Sequence, residues 1–157
     1  MDNQTEQLTA EKVINDKPIK VKIRLDFKGT GKPGRFLFGG KSQEKGAEDA
    51  REQQVALFRN VPMQGVYIED IDLSVDVFTV FDDVSNTEIA YAPVILTIQT
   101  DTLEDVIQFI TRTEFRKIEI IEPRNFSLSK HNTEKLFFKI NQQLKSHIDN
   151  LERKYLK

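Results

Sequence analysis

Near its start the chain reads Ile19-Lys20-Val21-Lys22-Ile23-Arg24-Leu25, with apolar residues at the odd positions and basic residues at the even ones. A second stretch reads Asp70-Ile71-Asp72-Leu73-Ser74-Val75-Asp76-Val77, which alternates in the same way but is mostly acidic at its polar positions. Strict alternation is typical of a β-strand that buries one face and exposes the other. Because opposite charges attract across a strand pair, the charge pattern favours these two strands as neighbours in one sheet.

The composition is that of one globular domain. The chain has 157 residues, of which 38% are hydrophobic and 31% charged, and it contains no Cys. We therefore expect a polar N-terminal segment at 1–17 and a single domain at 18–157 that folds without disulfides. The start of the chain lacks the regions of a secretory signal, and no apolar run is long enough to span a bilayer. These features predict a cytoplasmic protein with no membrane partner.

The periodicity predicts further elements around these strands. We expect a short helix from Ala47 to Asn60, and the acidic strand within 65–81, with a bulge or bend where its alternation slips near Val77. A strand at 89–99, a helix at 101–114 and a strand at 116–122 form a strand–helix–strand unit. The predicted fold is α+β, with a mostly antiparallel twisted sheet, one packed helix and a long C-terminal helix. The order of elements after residue 65 is compatible, in part, with a ferredoxin-like arrangement.

The last predicted helix covers 130–155, with Ser129 as its N-cap. Its length of roughly 39 Å exceeds what a small sheet can cover, so its far end projects or pairs with another chain. A stripe of apolar residues spaced 3, 4, 4, 3 and 4 apart runs along it, and we take this stripe as a candidate protein interface. The stripe consists of Phe137, Ile140, Leu144, Ile148, Leu151 and Tyr155.

A Gly-rich basic segment at 28–45 is the second candidate site, and we expect a mobile loop over 39–50. The segment carries a net charge of +4, and it could bind a nucleic acid or a phosphate-bearing ligand. Five residues separate Gly34 from Gly40, whereas a Walker A phosphate loop has four, so a nucleotide site of that kind is disfavoured. The candidate ligand-binding residues are Lys28, Lys32, Arg35 and Lys41.

The residue types that catalyse reactions do not form a recognisable set. His131 and His147 are sixteen residues apart on one predicted helix, so they cannot share a ligand site within one chain. The acidic side chains on one face of a strand are spaced roughly 7 Å apart, which disfavours a metal site there. We expect no cofactor and no metal, and we favour a non-catalytic role, although a carboxylate-based enzyme site stays open.

The sequence thus favours a non-catalytic interaction or assembly protein that self-associates through the C-terminal helix. The expected partner is a second copy of the chain or another protein. Binding of nucleic acid or a phosphate ligand through 28–45 is the less favoured alternative.

Overall fold

The computed structural model describes residues 17–29 and 42–156. The predicted N-terminal segment is outside this range except for Lys17, as is most of the basic segment. The strands are β1 (Ile19–Lys28), β2 (Val66–Asp72), β3 (Phe78–Asp82), β4 (Thr87–Thr100) and β5 (Phe115–Glu122). The helices of the described residues are α1 (Gln43–Asn60), α2 (Leu103–Ile110) and α3 (Lys130–Tyr155).

The described strands form one sheet in the order β2–β4–β1–β5, with β3 also beside β4, and each paired strand is antiparallel to its neighbour. Because β4 and β5 both run antiparallel to β1, they are parallel to each other, with β1 between them and α2 connecting them. This order of strands and helices is that of the split βαβ, ferredoxin-like arrangement, to which β3 is an addition. The predicted α+β class, antiparallel sheet and long C-terminal helix are confirmed.

The hydrophobic core lies on the face of the sheet that α1 and α2 cover. Alternate residues of β1, such as Val21 and Ile23, have no exposed surface and pack with Leu96 of β4. The same cluster includes Phe58 of α1 and Phe109 of α2, whose ring centroids are 6.4 Å apart. The alternation in β1 therefore predicts correctly which of its side chains enter the core.

The expected pairing of the basic and acidic strands is wrong, because β4 lies between β1 and β2. Their charges still meet at one point, where Lys20 Nζ donates to Glu69 Oε1 at 2.8 Å across β4. Glu69 sits at a register shift in β2, between Ile68 and Asp70. Alternation indicates which face of a strand is buried, but it does not identify the neighbouring strand, because long flexible side chains let opposite charges interact across an intervening strand.

The single strand predicted within 65–81 forms two strands, β2 and β3. Asp72 lies opposite Ile95 and Phe78 lies opposite Tyr91, so residues 73–77 interrupt the strand opposite 92–94 of β4. Pro93 is at the centre of that part of β4 and has no N–H to donate to a neighbouring strand. Its carbonyl oxygen instead accepts a hydrogen bond from Arg51 Nη1 of α1 at 3.3 Å. Pro93 thus accounts for an interruption that is longer than the predicted bulge.

The predicted loop over 39–50 is wrong for 43–50, which belong to α1, while 39–41 are outside the described residues. Ser42 caps this helix, because its Oγ accepts from the backbone N–H of Lys45 at 3.1 Å. Gly46 and Ala47 are buried in the first turns. Gly29 approaches Gln43 and Ala47 so closely that a Cβ on Gly29 would overlap the Gln43 carbonyl oxygen. Small residues here allow a helix to pack closely against the end of β1, rather than making a flexible loop.

A buried carboxylate links β1 to β5 on the face of the sheet opposite the core. Asp26 is 3% exposed, and Arg24 Nε donates to its Oδ1 at 2.8 Å while Arg116 Nε lies 3.4 Å from its Oδ2. The guanidinium of Arg24 lies over the ring of Phe78, and that of Arg116 lies over Tyr91. The two rings stack at 5.6 Å, so the cluster also connects β3 and β4.

We predict that Asp26→Asn lowers the free energy of unfolding by about 2 kcal/mol, because it removes the charge that both arginines bind. The side chains of Arg24 and Arg116 are 36% and 42% exposed and can regain water, which keeps the loss below that for a fully buried ion pair. Urea denaturation measures this loss. The control Asp70→Asn changes an exposed residue of β2, and its effect should be within about 0.5 kcal/mol. Equal effects of the two substitutions would contradict the role of Asp26.

The Lys20–Glu69 pair predicts a pH dependence. The hydrogen bond from Lys20 holds the pKa of Glu69 below its ordinary value of 4.5, and the same bond raises the pKa of Lys20 above 10.5. The contribution of Glu69 to stability is therefore fully present above pH 4.5 and is lost as the pH falls through its lowered pKa. Glu69→Gln should be less stable than the wild type at neutral pH, and equally stable in strong acid. A difference that does not change with pH would show that the pair contributes nothing.

Candidate interaction surface on the C-terminal helix

The helix α3 begins where the sequence predicts. Ser129 is the N-cap, with an extended backbone, and its Oγ accepts from the backbone N–H of Asn132 at 3.1 Å. The carbonyl oxygen of Ser129 accepts from the Oγ1 of Thr133 at 3.0 Å. At the other end, Arg153 and Lys154 place positive charge where the helix dipole is negative. The predicted bounds and cap are confirmed.

The helix α3 is supported mainly by α2 within the described part of the chain. Its half-buried face includes Leu136, Ile140, Gln143 and His147, and none of its residues from Lys130 to Tyr155 is buried. All eight residues of α2 are buried or half-buried, which places α2 between the sheet and α3. At 1.5 Å per residue, α2 is roughly 12 Å long and α3 roughly 39 Å. Most of the surface of α3 therefore has no partner among the described residues.

The predicted apolar stripe is exposed. Because successive residues of an α-helix are about 100° apart, the stripe is centred about 90° around the helix from the face that contacts α2. Ile140 is half-buried and lies between the two faces. The other stripe residues have large exposed fractions: Phe137 65%, Leu144 55%, Ile148 52%, Leu151 53% and Tyr155 85%. The structure thus brings all six residues together on one side of α3, beside the face that packs on α2.

The C-terminal third of α3 projects beyond the domain. Every described residue from Ile148 to Leu156 is exposed. Ile148, Leu151, Tyr155 and Leu156 line a shallow open depression that is mostly apolar. An extended apolar surface of this kind commonly marks a protein interaction site.

Phe138 is an exposed aromatic residue that the sequence analysis did not single out. It is 64% exposed, as much as its neighbour Phe137, but it lies about 100° further around the helix. Its position off the stripe makes it a natural control for any role of the stripe. The two residues are adjacent in Leu136-Phe137-Phe138, and only the helical spacing of the stripe distinguishes Phe137 from Phe138.

Only Lys28 of the four predicted ligand-binding residues is described, and it is exposed at the end of β1. It borders a cavity of about 320 Å³ between α1 and the start of β5. The lining also includes Arg116 and the carboxylates Asp26 and Glu114, so the charges of the cavity are balanced and do not favour an anion. Lys32, Arg35 and Lys41 are outside the described residues, and their role stays a prediction.

No protein-family model matches the chain, and searches of curated proteins and of solved structures found no match. None of the described helices has the length and apolar character needed to cross a membrane. The described residues contain no group of three or more His, Asp or Glu side chains placed to hold a metal ion. The cytoplasmic location stays a prediction.

The cap predicts how the start of α3 responds to substitution. Ser129→Ala removes the acceptor for the Asn132 N–H, and we expect it to destabilise the first turn of α3 by about 1 kcal/mol. Amide hydrogen exchange should become faster in the first turn of α3, with little change in β1. Ser146→Ala, in the middle of the same helix, is the matched control and should have no such effect. Equal exchange rates in the two variants would contradict the capping role.

Proposed function

We propose that this chain is a non-catalytic assembly protein that self-associates through the apolar stripe of α3. The observation that carries the proposal is the exposure of the stripe on a helix that the other described residues cover on only one face. The sheet and its two packed helices then act as a scaffold that presents α3. The role of α2 is to hold α3 at a fixed angle, which reduces the entropy cost of ordering the interface.

The size of the stripe sets the expected strength of association. Burying the exposed part of a large apolar side chain contributes about 1 kcal/mol. Two copies of a six-residue stripe would contribute roughly 10 kcal/mol, and association costs about 4–15 kcal/mol in lost freedom. The two contributions are of similar size, so we expect any complex to be reversible and its formation to depend on protein concentration.

Sedimentation equilibrium over a wide range of concentrations tests the proposal. We expect the wild type to shift from monomer to a larger species as the concentration rises. Phe137→Glu places a charge within the stripe and should weaken self-association at least tenfold, because the carboxylate would have to be buried without a partner.

Phe138→Glu is the matched control, since it makes the same substitution at the adjacent residue with nearly the same exposure. We expect it to associate like the wild type. A wild type that stays monomeric at every concentration would refute the proposal. Equal weakening by the two substitutions would show that the stripe is not the interface.

A further inference from the structure

We propose that two copies of α3 pair in antiparallel orientation, with a two-fold axis at the level of residue 146. This inference rests on the proposed self-association and specifies the geometry of the complex. The part of each α3 that α2 supports would then lie against the projecting C-terminal part of the partner helix. The two domains would lie at opposite ends of the helix pair.

The stripe is nearly symmetric about residue 146. Leu144 and Ile148 are two residues on either side of it, and Phe137 and Tyr155 are nine residues on either side. The remaining two residues, Ile140 and Leu151, are six and five residues away. In an antiparallel pair about this axis, each apolar residue therefore faces an apolar residue of the partner at the same level or within one residue of it. This register uses all six residues of the stripe.

The part of α3 that packs against α2 ends close to residue 146, the proposed centre of the pair. His147 is the last half-buried residue of α3, and every described residue after it is exposed. The stripe residues before residue 146 lie in the part of α3 that α2 supports, and those after it lie in the projecting part. In an antiparallel pair, each projecting part is covered by the α3 of the other copy. The two copies of α2 stay apart.

The spacing of the stripe allows this contact to continue along a straight helix. Residues Phe137 and Ile148 are eleven residues apart, as are Ile140 and Leu151, and Leu144 and Tyr155. An eleven-residue repeat corresponds to about 3.67 residues per turn, close to the 3.6 of an undistorted α-helix. The two stripes can face each other without the left-handed supercoil that a seven-residue repeat imposes.

Charges beside the stripe are compatible with this orientation. Lys145 and Glu152 lie on the same side of the stripe. The antiparallel pair places each Lys145 roughly 7 Å along the axis from Glu152 of the partner subunit and about 3 Å from Lys145 of the partner subunit, so the two glutamates offset the repulsion between the lysines. The long side chains of Lys and Glu can span that distance. Antiparallel packing also sets the two helix dipoles in opposite directions, which is the favourable arrangement.

Distances between spin labels distinguish antiparallel from parallel pairing. The chain contains no Cys, so a single substitution to Cys gives one labelled site per copy. Glu134 and Lys145 are eleven residues apart and lie on the same side of α3, so they form a matched pair of sites. In the antiparallel pair, labels at Lys145→Cys would be about 3 Å apart along the axis, and labels at Glu134→Cys would be about 36 Å apart.

We expect a short distance for the label at 145 and a long one for the label at 134. Two short distances would mean parallel pairing and would overturn this inference while leaving self-association intact. Equal long distances would mean that α3 is not the interface. No intermolecular distance from a protein that sediments as a monomer would refute the proposed function itself. Adding Leu144→Glu to Lys145→Cys should abolish the short distance.

Discussion

The antiparallel pairing of β1 with both β4 and β5 is the constraint on which the rest of the structure depends. All ten residues of β1 pair with β4, and six of them also pair with β5. This double pairing fixes the register of the central strands and places the alternate apolar residues of β1 beneath α1 and α2. Since β5 is parallel to β4, the connection between them must cross over β1, and α2 makes that crossover. The position of α2 then determines where α3 can pack.

Patterns within one segment predicted the local structure well. The alternation in β1, the apolar spacing in α2 and the Ser129 cap of α3 each depend on residues that are close in the sequence. The neighbours of each strand were predicted less well, because pairing depends on contacts between distant segments. Lys20 reaches Glu69 across β4, which shows that complementary charges on two strands need not mean adjacent strands. Register and burial of whole strands are decided by the core.

The exposure of the stripe on α3 depends on more than the spacing of its residues. A stripe at helical spacing identifies an apolar side of α3, but it does not say whether the domain covers that side. The length of α3 favoured a stripe that the sheet does not cover, and the short α2 agrees with that expectation. The eight residues of α2 can support one face of α3 only, so the stripe is left exposed. The missed features, Gly46 in a buried helix turn and the interruption opposite Pro93, depend on close approaches between distant segments.

Because α2 lies between the sheet and α3, its local unfolding affects both of them. Val106 and Phe109 of α2 belong to the core of the sheet, while the same short helix supports α3. Local unfolding of α2 would release α3 and expose the core together, so the two events form one cooperative unit. A complex that holds α3 in place would in turn slow the opening of the core. Under the proposed self-association, protection of the interior from solvent would be thermodynamically linked to the association state of the chain.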